Sequence, residues 1–209
     1  MQASCTLLLC VVVFMTCFQV SFGTNCEAKA INECVVQGYI KGFSAVNTTL
    51  DDIGLHCTLD RKLLQCTERA LNACGKTPTL LALGRAVLSY IVFDRNLGVC
   101  RKRGYWTMYQ LLKTDAPFED KTNWNYKILT LLHYSQYSDC AKKINENCLK
   151  AFVHKMKVLP DLCTNIPFKY NCIKPTTDCP AKILHDILNV FPDEANKVLA
   201  GLCQPQDSG

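Results

Sequence analysis

The chain has 209 residues, 49% hydrophobic and 20% charged, so it can bury a core and is not disordered by composition. Its 23 Lys plus Arg against 18 Asp plus Glu leave a scattered +5, too little to point to a nucleic-acid partner or an anionic membrane surface. The discriminating number is 15 cysteines, which in a chain this short point to oxidised cross-links.

Residues 1–23 read as an export signal. Leu7 to Val20 is an almost unbroken apolar run without Lys or Arg, and Ser21-Phe22-Gly23 offers small residues where a signal peptidase reads. The run is shorter than the roughly 20 apolar residues that span hydrocarbon, which disfavours a membrane anchor. Loss of Cys5, Cys10 and Cys17 with the signal leaves twelve of the 15 cysteines, an even number that can all pair outside the cell.

The elements that follow are helical. Residues 26–42 carry Ala30, Ile31, Cys34, Val35 and Gly38 on one side at helical spacing. Thr49-Leu50-Asp51-Asp52 starts a short helix towards Cys57. Asp60 to Cys74 forms the next, with Leu63, Leu64, Ala70 and Leu71 inward and Gly75 as its stop. Thr77-Pro78 opens a helix over 78–93 with Leu80, Leu83, Val87, Leu88 and Ile91 as its stripe. Ser138 to Leu159 is one long amphipathic helix, Pro180 to Phe191 another, and Pro192-Asp193-Glu194 starts a last one. No strand pattern appears, so the fold class is all-α.

The cysteines carry an internal repeat. Cys26, Cys34, Cys57, Cys66, Cys74 and Cys100 read C-x7-C-x22-C-x8-C-x7-C-x25-C. Cys140, Cys148, Cys163, Cys172, Cys179 and Cys203 read C-x7-C-x14-C-x8-C-x6-C-x23-C. This predicts two tandem disulfide-stapled helical modules, 24–113 and 124–209, joined by a linker over 114–123. Cys26 and Cys34 lie two turns apart on one flank, about 12 Å in height, and so cannot bond to each other. Cys66 and Cys74 have the same separation. An antiparallel helix pair would therefore make the rungs Cys26–Cys74 and Cys34–Cys66, leaving Cys57–Cys100. The analogous set is Cys140–Cys179, Cys148–Cys172 and Cys163–Cys203. Geometry prefers these pairs, and other connectivities stay open. Pro175 makes the second ladder less regular.

The segments HCTLDRKLLQCTERALNAC (56–74), VLSYIVFDRNLGVCRKRGYW (87–106), LPDLCTNIPFKYNC (159–172) and CPAKILHDILNVF (179–191) resemble a family of arthropod, chiefly chelicerate, secreted cysteine-rich helical proteins. A looser similarity connects the same region to insect hemolymph glycoproteins of similar size. Phe118 stands where the family pattern has a cysteine. The resemblance implies a secreted helical protein of hemolymph, saliva or venom, and it implies no activity.

Catalytic and metal patterns are missing. There is no C-x2-C and no H-x3-H, and the mature cysteine number is even, so neither a zinc site nor a catalytic thiol is expected. His185-Asp186 lacks the cysteine pair and the glycine-rich calcium loop of secreted phospholipases, and His185 falls on the polar side of its helix with Lys182 and Asn189. Gly42-Phe43-Ser44-Ala45-Val46 has Val46 where a hydrolase elbow needs glycine. His56, His133 and His154 are isolated in sequence. Arg101-Lys102-Arg103 follows a helix end, and Lys142, Lys143, Lys150, Lys155 and Lys157 read as a solvated face.

Two features bear on binding. Helix 78–93 is apolar almost all round, so it is either central to the core or lines an apolar-ligand cavity through Leu81, Leu88, Val92 and Phe93. Trp106, Tyr109, Trp124, Tyr126, Tyr134 and Tyr137 gather around the inter-module region. Asn47-Thr48-Thr49 is an N-glycosylation acceptor. The expectation is a secreted, extracellular, non-catalytic binding or effector protein with about six disulfides. It needs no cofactor or metal, and its partner is an extracellular protein or a small apolar ligand. The alternative is a carrier of small apolar ligands or lipids, which a cavity of several hundred Å3 would favour.

Overall fold

A computed structural model describes residues 25–44, 49–100, 105–114, 123–132, 138–173, 178–179, 195–196, 199 and 203. The signal segment 1–23, Asn47, the basic run 101–103, residues 115–122 of the linker, His133, Tyr134, Tyr137 and Pro175 lie outside the described residues. So do the helix expected over 180–191, with His185, and the start expected at Pro192. Regular structure among the described residues is helical, with no sheet.

The first rod is α1 (Asn25–Ile31), a π-helical stretch over Asn32–Ile40 and α2 (Lys41–Ser44), continuous in sequence. A uniform α-helix would turn Gly38 inward, but Gly38 is exposed and Tyr39 and Phe43 are buried. The wider π winding moves the inward position by one residue. It replaces a glycine, which has nothing to bury, with two aromatic rings whose burial stabilises the core.

The two short helices expected around His56 and Asp60 are one helix, α3 (Asp52–Cys74). Asp51 caps its start, accepting from the Gly54 N–H at 2.7 Å, and Gly75, at φ 83°, ends it. Asp60 therefore sits mid-helix, where it packs inward. Helix α4 (Pro78–Asn96) begins at the expected cap, with Thr77 Oγ1 accepting from the Leu80 N–H at 3.3 Å, and runs past 93 to bury Asp94. Gly84 lets α4 approach its neighbours, because a methyl there would lie 2.7 Å from Leu112 and 3.3 Å from Leu71.

Helices α5 (Tyr105–Leu112) and α6 (Trp124–Leu132) pack on α4. The Trp124 indole donates to Ser89 at 3.1 Å, and Asn96 donates to the Leu131 carbonyl. Trp106, Tyr109 and Trp124 stack in sequence, with centroids 5.2 and 6.3 Å apart. Helix α7 (Asp139–Val158) starts under the Ser138 cap and packs on α3, and α8 (Leu162–Cys172) follows under the Asp161 cap. Periodicity does not mark α8 as a helix, since Pro167 lies inside it and removes one backbone donor, and Asp161 as a cap is its one start signal.

Six disulfides close the fold: Cys26–Cys74, Cys34–Cys66, Cys57–Cys100, Cys140–Cys179, Cys148–Cys172 and Cys163–Cys203. The first two are antiparallel rungs between the first rod and α3, the arrangement that the spacing on facing helices prefers. The disulfides stay within each half of the chain, but the apolar core does not. One buried cluster includes Phe43, Leu59 and Leu88 of the first half with Ile128, Phe152 and Met156 of the second. Phe43 and Phe152 meet edge-to-face across this divide at 5.9 Å. A half of about 90 residues makes only a marginal core by itself, and sharing one core relieves that shortage.

Candidate ligand site

Helix α3 places His56 and Asp60 one turn apart on its inward face, and α4 delivers Asp94 opposite them. His56 Nε2 lies 2.9 Å from Asp60 Oδ2 and 3.0 Å from Asp94 Oδ2, and both His56 and Asp94 have no exposed surface. A single imidazole nitrogen thus sits between two carboxyl groups. Asn145 of α7 donates to Asp94 Oδ1 at 2.7 Å, which ties the second half of the chain to the first. Among the described residues His56 Nδ1 has no hydrogen-bond partner. Burial pulls the imidazole down, but the charge of Asp60 and hydrogen bonds to Asp60 and Asp94 lift it above its ordinary value despite Lys169 nearby. Burial raises the Asp94 carboxyl, and its bonds to His56 and Asn145 only partly offset this.

Lys169 enters the same region from α8. It is 4% exposed, and its Nζ lies 3.6 Å from the Tyr90 ring centroid and 5.2 Å from that of Phe152. Among the described residues Nζ has no hydrogen-bond acceptor. Burial drives the amine well below the usual lysine range, with Asp60 opposing. Burial pushes the Tyr39 phenol well up, and the Asp60 charge and a hydrogen bond to Asp60 add to it.

Beside these groups lies a cavity of about 80 Å3. Its walls are apolar: Val35, Leu63, Leu83, Ala86, Val87 and Ile166, with Ala195 and Leu199 from the C-terminal segment. Tyr39, Asp60, Tyr90, Lys169 and Tyr170 are also among the lining residues, and little polar surface reaches the cavity. Leu83, Ala86, Val87 and Tyr90 follow one face of α4 at helical spacing. The residues expected to line a ligand cavity lie elsewhere. Leu88, Val92 and Phe93 are core residues with no exposed surface, and Leu81 is only partly buried. The cavity is roughly half the volume of one that holds benzene, about 150 Å3, and far below the several hundred Å3 of a lipid site. A molecule held within that volume would have only a few heavy atoms.

His56, Asp94 and Cys100 bring ligand atoms within 4.8 Å of one another. Cys100 is bonded to Cys57 and offers no thiolate, so this trio lacks the third ligand that a metal needs. His154, the other described histidine, is exposed on α7.

Sequence reasoning reached neither Lys169 nor the acids. One signal was available: Asp94 is an acid at the end of a helix apolar on every side, and such a group must be buried with a partner. His56 and Asp60 likewise stand at i, i+4.

The amine has a consequence for stability. Because Lys169 is held below its unfolded value of 10.5, the unfolded chain binds more protons between the two values, and stability rises with pH through that window. His56 and Asp94 act in the opposite sense. Their raised values give stability that is complete below 6.5 and 3.8 respectively and is lost as pH rises through the folded-state values. In Lys169→Met the alkaline gain is expected to vanish, so urea midpoints of wild type and variant should diverge in favour of wild type as pH approaches 10.5. Parallel midpoints would contradict it.

No helix among the described residues is long and apolar enough to cross a membrane. No family model, no curated protein and no solved structure matches the chain.

Proposed function

We propose that this is a secreted, non-catalytic binding protein of an extracellular fluid, such as hemolymph, saliva or venom, and that its ligand occupies the cavity between the π-helical stretch, α3, α4, α7 and α8. Six disulfides support the extracellular setting, since such bonds persist in oxidising compartments. The likeness of its cysteine pattern to secreted arthropod proteins supports the kind of fluid. The observation that carries the ligand reading is a cavity with apolar walls whose lining includes two buried ionisable residues, Asp60 and Lys169. Apolar walls with a few convergent polar atoms suit a small organic molecule with one polar end.

Native mass spectrometry of the oxidised protein from its natural source is expected to find a small organic molecule bound. Its release on filling the cavity by Ala86→Leu ties it to the site. Protein that is bare from source, with an Ala86→Leu variant indistinguishable from it, would refute the reading. Surface recognition is a second reading, favoured by Trp106, which is 54% exposed at the end of the Trp106–Tyr109–Trp124 stack.

A further inference from the structure

We propose that Lys169 captures small aldehydes or ketones inside the cavity as a reversible imine, an inference that rests on the cavity being the ligand site. Three features of the amine lead there. It is buried at the cavity wall, it lies against the faces of Tyr90 and Phe152, and among the described residues it has no hydrogen-bond acceptor and no bonded carboxylate. The ring faces attract an ammonium, but desolvation outweighs that attraction, favours the neutral form and leaves the lone pair free to act as a nucleophile. The depressed proton affinity of Lys169 agrees.

The reaction needs no oxidant and no metal. The Nζ lone pair bonds to the carbonyl carbon while the C=O π electrons move to oxygen. One proton passes from nitrogen to that oxygen, giving a carbinolamine. Asp60, which lines the same cavity, is the carboxylate available to carry it. The C–O bond then breaks, the second nitrogen proton leaves with the oxygen, and the products are the imine and one water.

The same chemistry argues against a carboxylic acid as ligand. An acid would bring a further negative charge to a region that already buries Asp60 and Asp94, whereas a neutral imine adds none. Apolar walls also limit the water that would hydrolyse the product. Scaling from benzene in a cavity of about 150 Å3, the volume suits a carbonyl compound of roughly three or four heavy atoms.

The test uses the full-length oxidised protein, propanal and sodium cyanoborohydride at neutral pH, followed by peptide mapping. Exposed lysines are protonated there in all but roughly one molecule in a thousand, so Lys169 is expected to carry the propyl group at least about tenfold more often than any other lysine. The α-amino group also reacts and serves as an internal standard. Xenon-129 NMR on the same sample reports whether the cavity admits an unreactive apolar atom. Excess labelling at Lys169 supports the proposal. No excess at Lys169 with xenon still bound overturns the imine and spares the cavity reading. No excess with xenon excluded overturns both.

Discussion

Asp94→Ala is expected to lower the unfolding free energy by about 3–5 kcal/mol, the range for removing one partner of a buried charged pair. Asp94 has no exposed surface and serves groups from two other helices, His56 of α3 and Asn145 of α7. Alanine would leave the imidazole with Asp60 alone and the Asn145 amide without its acceptor, in a place water does not reach. Asp94→Asn keeps an acceptor for Asn145 and should cost less, about 1–3 kcal/mol. Urea unfolding followed by circular dichroism checks both. A loss below about 1 kcal/mol in Asp94→Ala would mean the pair does not join the two halves of the core.

The second large effect is expected from the terminal rung of the first ladder. Cys26–Cys74 closes a loop with a sequence separation of 48, the longest of the six. Chain entropy assigns a loop of that length about 4 kcal/mol. The paired replacement Cys26→Ala with Cys74→Ala should reduce stability by about that amount under non-reducing conditions, and Cys148→Ala with Cys172→Ala somewhat less, because its loop is shorter. The first rod is otherwise held by Cys34–Cys66 and by the packing of Tyr39 and Phe43, so the fold is expected to survive. An unchanged denaturation midpoint would show that this rung adds nothing to what the aromatic packing supplies.

Much of the architecture was legible wherever a local rule acts alone. Thr77-Pro78 and Ser138 mark helix starts because their side-chain oxygens satisfy a first-turn N–H, and Gly75 marks a stop because it takes positive φ. The spacing of Cys26 and Cys34 points to facing helices because eight residues of helix hold the two thiols too far apart along the axis to bond to each other. What failed depends on tertiary competition. The π winding follows from burying Tyr39 and Phe43, which only a folded neighbour rewards. Asp60 has the residue type of a helix start, yet its partner His56 lies one turn earlier on the same helix, and this joins the two segments into one. On α4, apolar on every side, sequence cannot choose the face that meets a cavity, and that face carries Leu83, Ala86, Val87 and Tyr90, whereas Leu88, Val92 and Phe93 are core. Lys169 follows a proline inside α8, where no periodicity predicts a helix and so no face could be assigned.

The ligand reading and the imine both depend on an amine kept neutral inside an apolar pocket. The most direct measurement is the carbon-13 NMR titration of the Lys169 ε-carbon in labelled, oxidised protein. A midpoint far below 10.5 is the predicted result. A Lys169 signal that titrates at or above 10.5, with the exposed lysines, would place the amine in water or in an ion pair and contradict the account.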